Sequence, residues 1–269
     1  MLGLFFCLCF HSIVTTRSLD VASALPVWTI LKSWKREASR YDAFMSDDTS
    51  GFIPLEHKRL EPKEMEAQGE AFLQDLDSRR SVRFFSDQPV PKRLIELAIE
   101  AASTAPSGAH MQPWTFVAIS DANIKREIRI AAEKEEYISY EGGRMKEEWL
   151  RDLAPLGTDW HKPFLETVPW IVVLMAQRRG KTEEGNIKKH YYVQESVGIA
   201  AGLFIAALHK MGLCTLTHTP SPMAFLQEIL ERPKNEVPFI LFPIGFPTDD
   251  CVVPDLKRKP LDDVSVWFE

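Results

Sequence analysis

Several features that mark whole classes of proteins are missing from this sequence of 269 residues. It has only four cysteines, Cys7, Cys9, Cys214 and Cys251, and none of them belongs to a CxxC pair. Neither a disulfide framework nor a zinc site can be built from this pattern, and because the histidines lack HExxH spacing we predict no metal. A GxGxxG fingerprint for dinucleotide binding is absent too.

An excess of positive charge is also missing. The chain carries 38 acidic and 32 basic side chains, which gives a formal net charge of −6. A protein that binds nucleic acid normally gathers a basic excess on one face, so we expect no nucleic-acid partner. A small basic pocket for an anionic cofactor remains compatible with this balance. Hydrophobic residues make up 45% of the chain, which is enough for one substantial core.

Neither of the two apolar runs near the N-terminus, at 1–14 and 24–34, reaches the ~20 residues that a confident membrane-spanning helix needs. Three interpretations are open: a short membrane anchor, a cleaved secretory signal, or a hydrophobic tail that packs elsewhere. We favour the first two, because so dense an apolar start has little reason to be exposed. The predicted location is a membrane, through an N-terminal single-pass anchor, or the secretory pathway if the leader is cleaved. The predicted division is 1–36 as anchor or signal, 37–60 as polar linker and 61–269 as the catalytic domain.

The rest of the chain mixes helical and strand patterns along one core, which is typical of an α+β or α/β protein. Helices are predicted over 61–80, 91–106 and 191–212, and strands over 114–120, 169–177, 213–220 and 239–247. The apolar face expected for the second helix consists of Leu94, Leu97, Ala98 and Ala101.

Three short segments have the composition of a site. In RRSVR, residues 79–83, an extended chain would place Arg79, Ser81 and Arg83 on one face, where paired hydrogen bonds from guanidinium groups suit a phosphate. The alternative is a solvated basic turn. The loop APSGAH at 105–110 would expose backbone amides to a ligand, or it is a plain helix-to-strand connection. The triplet KRK at 257–259 is a further cation source or a solvated tail.

Taken together and in this order, RRSVRFF, APSGAHMQPW, the Gly-rich helix at 191–212, PIGFP and PDLKRKP resemble the nitroreductase superfamily. Within this superfamily, the amino-acid sequences of these segments are similar to those of the iodotyrosine deiodinase family. The resemblance covers residues 60–269. It implies an α+β fold with a sheet flanked by helices, assembled as an intertwined homodimer with FMN at the dimer interface.

The resemblance also implies which residues bind FMN. The phosphate and ribityl chain would be held by Arg79, Arg80, Ser81, Arg83 and Arg258. Ser107 would contact the flavin, and Thr217, His218 and Thr219 would line the isoalloxazine edge. The family motif has a threonine at the position of His218. The catalytic hydroxyl near flavin N5, which stabilises the one-electron reduced flavin, is predicted to be that of Thr219, with Thr217 as the alternative.

The polar insertion at 133–162 has the composition of a mobile amphipathic lid or of a surface helical hairpin. With the resemblance, three of its residues would clasp the amino-acid end of a halotyrosine. Glu136 would pair with the ammonium group, Lys162 with the carboxylate, and Tyr140 would add a hydrogen bond. The backbone N–H of Ala109 would bind the phenolate oxygen.

The implied reaction is the reductive dehalogenation of mono- and di-iodotyrosine to tyrosine and halide, which serves iodide salvage. Because no dinucleotide fingerprint is present, the electrons would come from NADPH through a separate reductase. Two alternatives keep the flavin site: a broad nitro or quinone reductase, and a protein that only binds or sequesters flavin. The trio of Glu136, Tyr140 and Lys162 favours the dehalogenase, since a reductase of neutral arenes has no need for it.

Overall fold

The computed structural model describes residues 51–182 and 184–269, so the predictions for 1–36 and for most of 37–60 lie outside the described residues. The chain divides into two compact units, 1–60 and 61–269. The described part of the first unit, 51–60, contains neither helix nor strand. Among the described residues, no helix is both long enough and apolar enough to cross a membrane.

The second unit contains seven α-helices within its described residues. They are α1 Pro62–Ser78, α2 Lys92–Ser103, α3 Ala122–Tyr140, α4 Glu147–Leu153, α5 Phe164–Thr167, α6 Val193–Lys210 and α7 Ala224–Ile229. Asp121 caps α3, because its side chain accepts hydrogen bonds from the backbone N–H groups of Asn123 and Ile124. The predicted face of α2 is partly wrong. Ile95, Ala98 and Ala102 are its buried residues, whereas Leu97 is exposed.

The main sheet has four strands in the order β1-β2-β6-β5, and all neighbours are antiparallel. The strands are β1 Trp114–Ile119, β2 Trp170–Gln177, β5 Cys214–Thr215 and β6 Glu236–Gly245. A separate hairpin pairs β3 Arg179–Lys181 with β4 Ile187–Lys189. The strand predicted over 213–220 is much shorter than expected, because the chain leaves the ladder after Thr215 and pairs again only at His218. This arrangement confirms the α+β class.

The sheet separates two hydrophobic clusters, and β2 contributes to both through the alternation of its side chains. Val172 and Leu174 face the cluster that includes α2 and α6, whereas Ile171, Val173 and Met175 face the cluster that includes α3, α5 and α7. Six of the eight residues of β2 are buried. The continuous apolar run at 169–177 therefore forms a strand covered on both faces, as predicted.

Two helices keep apolar surface uncovered within a single chain. On α1, which was predicted to be amphipathic, Met65, Phe72 and Leu73 are all exposed, and no residue of this helix is buried. On α6, Ile199 and Leu203 are exposed, and a Cβ added at the glycines beside them would meet only open space. Such stripes are typical of surfaces that are covered in an assembly.

Candidate functional site

Four segments that are distant in sequence meet at a cavity of about 570 Å³. Its lining includes Arg79, Arg80, Ser81, Arg83, Thr217 and Arg258. The first segment is held to β5, since Ser81 pairs with Thr215 and the backbone N–H of Val82 donates to the Thr215 carbonyl over 3.2 Å. The basic segment at 79–83 and the residues Lys257 and Arg258 therefore line the same cavity.

Arg258 reaches back to the end of α1. Its Nη1 donates to Asp77 Oδ1 over 2.6 Å, and its Nη2 donates to the carbonyl of Arg79 over 3.2 Å. These bonds hold the C-terminal segment against the 79–83 segment. The guanidinium of Arg258 is thus fixed at the rim of the cavity before any ligand binds.

The cavity is electrostatically suited to an anion. Burial lowers the pKa of Arg79, and the neighbouring charges of Arg258 and Arg80 lower it further. Burial also lowers the pKa of Arg83. Within the part of the chain that the structure describes, no carboxylate lies within 4.0 Å of the guanidinium of Arg79 or Arg83. Because these cations are desolvated without an acidic partner, a phosphate group would fit the donors that they present.

The segment after β5 presents alternate sides to the solvent and to the core. Thr217 and Thr219 are exposed, whereas His218 is buried and exchanges both backbone hydrogen bonds with Leu241 at 2.9 Å. Its imidazole packs edge-on against Phe164, with 6.0 Å between ring centroids. The cavity lining includes Thr217 but neither Thr219 nor His218. The structure therefore does not bring the His218 side chain to the cavity, contrary to the position implied by the resemblance.

The buried imidazole of His218 is held in its neutral form. Burial, followed by the charges of Lys162 and Arg83, lowers the pKa of His218 from 6.5 to about 3. Its Nε2 has no hydrogen-bond partner among the described residues. Protonation of this ring in the folded protein would bring a third positive charge into the same neighbourhood.

We expect His218→Thr, which installs the residue of the family motif, to reduce the acid sensitivity of the fold. The folded pKa lies below the unfolded value, so the contribution of His218 to stability is present above pH 6.5 and is lost as the pH falls towards about 3. Between about pH 7.5 and pH 5 this loss amounts to about 2 kcal/mol. Urea unfolding of both proteins at the two pH values measures it. Equal pH dependence in the two proteins would contradict the neutral, buried assignment.

The predicted substrate trio comes together beside this cavity. Glu136 and Tyr140 lie one turn apart on α3, and Lys162 lies just before α5. Lys162 Nζ is 3.5 Å from Glu136 Oε2 and 5.5 Å from the centroid of the Tyr140 ring. The side chains of Lys162 and Glu136 are only 3% and 11% exposed. Lys162 Nζ also donates to Thr158 Oγ1 over 3.3 Å and to the carbonyl of Asp159.

Burial and ion pairing shift the pKa of Glu136 in opposite directions, and the same holds for the pKa of Lys162. Burial raises the pKa of Glu136 and lowers the pKa of Lys162, and in each case the charge of the partner works against the shift. Burial also raises the pKa of Tyr140, so its hydroxyl remains a hydrogen-bond donor. A ligand that brings its own ammonium and carboxylate would give each buried charge a new partner of opposite sign.

Arg83 links the trio to the arginine-lined cavity. Burial lowers the pKa of Lys162 and raises that of Tyr140, and the charge of Arg83, which lines the cavity, lowers both. The insertion at 133–162 also reaches the cavity, because Leu153 at the end of α4 and Leu156 just after it lie in the lining. Sequence reasoning missed these leucines and Thr158. The only pattern available for Thr158 was its position four residues before Lys162.

The loop at 105–110 lies outside that cavity. Ser107 and Ala109, the residues predicted to contact flavin and substrate, are absent from its lining within one chain. The loop is instead anchored to the start of α6: the N–H of Gly108 donates to Ser196 Oγ over 3.3 Å, and a Cβ at Gly108 would lie 2.9 Å from the carbonyl oxygen of Tyr191. Ala109 has a left-handed backbone, with φ of 48°. Within one chain, this loop therefore contributes no residue to the lining of the cavity.

Comparison with known proteins agrees with this geometry. The family described as "Nitroreductase family" matches residues 76–246. An iodotyrosine deiodinase from Haliscomenobacter hydrossis is 55% identical over 217 residues, which cover 81% of this chain and 97% of that protein. Iodotyrosine deiodinase 1 from Homo sapiens is 43% identical over 222 residues, which cover 82% of this chain and 76% of the human protein.

Solved structures show the same fold. A crystal structure of oxidized iodotyrosine deiodinase bound to FMN and 3-iodo-L-tyrosine matches with a TM-score of 0.61 and 26% identity, over 71% of this chain and 96% of that chain. A BluB-like flavoprotein from Clostridium difficile 630 matches with a TM-score of 0.58 and 18% identity, over 73% and 98% of the two chains. The second similarity concerns the fold alone.

Proposed function

The chain belongs to the nitroreductase family, and from this premise we propose that it is an FMN-dependent iodotyrosine deiodinase. In the reaction, one aryl C–I bond of a mono- or di-iodotyrosine is replaced by a C–H bond. The exchange consumes two electrons and one proton and releases iodide. The observation that carries this proposal is the buried ion pair of Glu136 and Lys162, with Tyr140 next to it, beside the arginine-lined cavity.

FMN fits the cations of the cavity, and when bound in reduced form it supplies the two electrons. Arg79, Arg83 and Arg258 would bind its phosphate. The guanidinium groups of Arg79 and Arg83 have no acidic partner among the described residues, and Asp77 holds that of Arg258 at the rim of the cavity. The hydroxyl group of Thr217, which lines the cavity, or of Thr219, two residues further along the chain on the same side, would donate a hydrogen bond to the flavin edge. The preference for Thr219 as the catalytic residue stays a prediction.

The trio would bind the zwitterionic end of the substrate. The ammonium group would replace Lys162 as the partner of Glu136, and the carboxylate would replace Glu136 as the partner of Lys162. Tyr140 would donate its hydroxyl proton in a further hydrogen bond. The lid that carries Leu153 and Leu156 would exclude water from the reacting ring.

Recognition of the phenol end requires the loop at 105–110. The backbone N–H of Ala109 would donate to the phenolate oxygen, and an N–H donor favours the ionised phenol. Iodine next to that oxygen lowers the pKa of the phenol, so halogenated rings would be preferred over tyrosine itself. Release of the product follows from the same preference, because the phenol of tyrosine is protonated near neutral pH.

A homodimer would bring this loop to the site. The exposed stripes on α1 and α6 supply the apolar surface that such an interface needs. Ser107 and Ala109 lie outside the cavity of their own chain, so a partner subunit that contributes the same loop would complete the site. We infer the intertwined arrangement from these two features together.

We also infer that the electrons come from NADPH through a separate reductase, because the sequence lacks a dinucleotide fingerprint. Membrane attachment through residues 1–36 remains a proposal that rests on the apolar composition of that segment. Treatment of membranes with high salt and then with detergent tests it, since an anchored protein is released only by the detergent.

The proposed activity is tested anaerobically with the full-length protein. We expect that its flavin, reduced with dithionite, is reoxidised by monoiodotyrosine with stoichiometric formation of tyrosine and iodide. Tyrosine, which has no C–I bond, is the matched control and should leave the flavin reduced. Bound FMN with no dehalogenation, but with turnover of nitroarenes, would instead identify a broad nitroreductase.

A further inference from the structure

A second cavity, of about 690 Å³, lies between the β3–β4 hairpin and the loop before β6. Its lining includes the side chains of Arg178, Arg179, Lys181 and Lys234. Lys189 on β4, which is opposed to Arg179 in the ladder, extends the same positive region. We call these five cations together the hairpin surface. None of them belongs to the arginine-lined cavity described above.

The charges of the hairpin surface repel one another within the fold. Arg179 and Lys189 are directly opposed in the antiparallel ladder, a position in which like charges destabilise the pair. No acidic side chain among the described residues lies within 4.0 Å of any of the five cations. The surface is also opposite in sign to the chain as a whole, which has a net charge of −6. A ligand that carries negative charge would relieve this repulsion.

The exposed face of the hairpin combines charge with apolar area. Side chains alternate along each strand, so Arg179, Lys181, Ile187 and Lys189 share one face. Ile187 on that face is 72% exposed. On the other face the imidazole of His190 lies against Gly180. Ile187 therefore adds apolar area to an exposed face that is otherwise cationic.

The hairpin surface is connected to the loop at 105–110. The N–H of Gln177, next to the hairpin, donates to the carbonyl of Pro113 over 2.8 Å. On the other side of the hairpin, the chain continues through Tyr191, whose carbonyl oxygen faces Gly108. The surface therefore adjoins the loop that carries Ser107, which would contact the flavin. An electron carrier that binds here would stand close to the cofactor.

We propose that the hairpin surface docks an acidic one-electron carrier protein, which delivers the electrons for dehalogenation. This inference rests on the proposed function, because the C–I bond is replaced only after two electrons have entered the site. Each carrier molecule is oxidised by one electron, so two encounters supply one turnover. Charge complementarity would steer the carrier and raise its association rate, most of all at low salt.

Stopped-flow reduction of the bound FMN under anaerobic conditions tests the proposal with flavin absorbance as the readout. The probes are reduced flavodoxin and reduced plant-type ferredoxin, both acidic, each presented to the full-length protein at low and high salt. We expect Arg179→Glu/Lys181→Glu to slow reduction at low salt by about tenfold or more. The matched control is Lys92→Glu/Arg126→Glu, which reverses two exposed cations on α2 and α3 and should leave the rate unchanged.

Several outcomes would overturn the proposal. One is that the carrier reduces the FMN of the hairpin variant at the wild-type rate, and another is that the control variant loses rate to the same extent. The proposal also fails if neither carrier reduces the wild type, or if NADPH reduces the wild type directly and the hairpin variant loses that reaction. Dithionite reduces the flavin without docking, so all variants should react with it equally. If the dithionite-reduced wild type fails to dehalogenate while the carrier results hold, the proposed function is wrong and the docking surface stands.

Discussion

Replacement of Lys162 by alanine is expected to weaken the binding of monoiodotyrosine by about 100-fold or more, because truncating one member of a buried charge pair costs several kcal/mol. The substrate carboxylate loses its cation in a site where Lys162 is only 3% exposed. Glu136 is affected too. Its pKa is already raised by burial, and Lys162 is the group that lowers it. Without that cation the pKa of Glu136 rises further, so the ammonium group also loses affinity. Titration of the bound flavin spectrum with monoiodotyrosine measures the effect.

Two controls distinguish the loss of substrate binding by the trio from damage to the fold. Lys134→Ala removes an exposed lysine from the same region of α3 and should leave affinity unchanged. 2-Iodophenol has the halogenated ring but no amino-acid group, so its dehalogenation should be similar in the wild type and in Lys162→Ala. FMN content should also be the same. A small change in affinity for monoiodotyrosine would remove Lys162 from the substrate site.

The regular elements could be predicted from the sequence because they depend on local periodicity. The helices at Pro62–Ser78 and Val193–Lys210 and the strands at Trp114–Ile119 and Trp170–Gln177 follow directly from apolar spacing. The failures concern contacts between distant segments. The strand expected over 213–220 stops at Thr215, because its partner β6 continues while the chain turns away until His218. No local pattern encodes that departure.

Burial was harder to predict than helicity. Leu97 was expected on the inner face of its helix, yet Ile95 and Ala102 are buried while Leu97 is exposed. The apolar stripe on α1 was read correctly as amphipathic, but it is uncovered in a single chain. Periodicity identifies an apolar stripe without identifying what covers it, and a stripe that meets a second subunit has the same pattern as one that meets the core.

The site could be predicted in its residue types but not in its connections. Alternation along an extended chain groups Arg79, Ser81 and Arg83, and all three line the cavity together with Arg258, but Arg80, which alternation places on the other face, lines it as well. The same alternation explains His218: neighbours on an extended segment point to opposite sides, so a residue between two exposed threonines faces the core. The charge of Arg83 acts on the pKa of Tyr140 and Lys162 across more than 50 residues of sequence, and no spacing rule reaches that far.

The second large effect is expected for Arg83→Ala, which should weaken FMN binding by about 10-fold to 100-fold. A hydrogen bond to a charged group is worth about 1.5–3 kcal/mol, and this guanidinium has no acidic partner among the described residues that would compensate for its loss. The variant should therefore lose its yellow colour on dialysis, while the wild type keeps it. Fluorescence titration of the apoprotein with FMN gives the affinity directly.

Riboflavin, which lacks the phosphate, is the decisive control for this assignment. Its affinity should be nearly the same for the wild type and Arg83→Ala, whereas Arg93→Ala on α2, which removes an exposed arginine bonded to Glu100, should change neither ligand. The apoprotein should also unfold at the same temperature or a higher one. Burial lowers the pKa of Arg83, and the folded protein gives this guanidinium no acidic partner among the described residues, so alanine removes a charge whose burial opposes folding. A loss of riboflavin and FMN affinity to the same extent would mean that Arg83 supports the fold of the cavity rather than the phosphate.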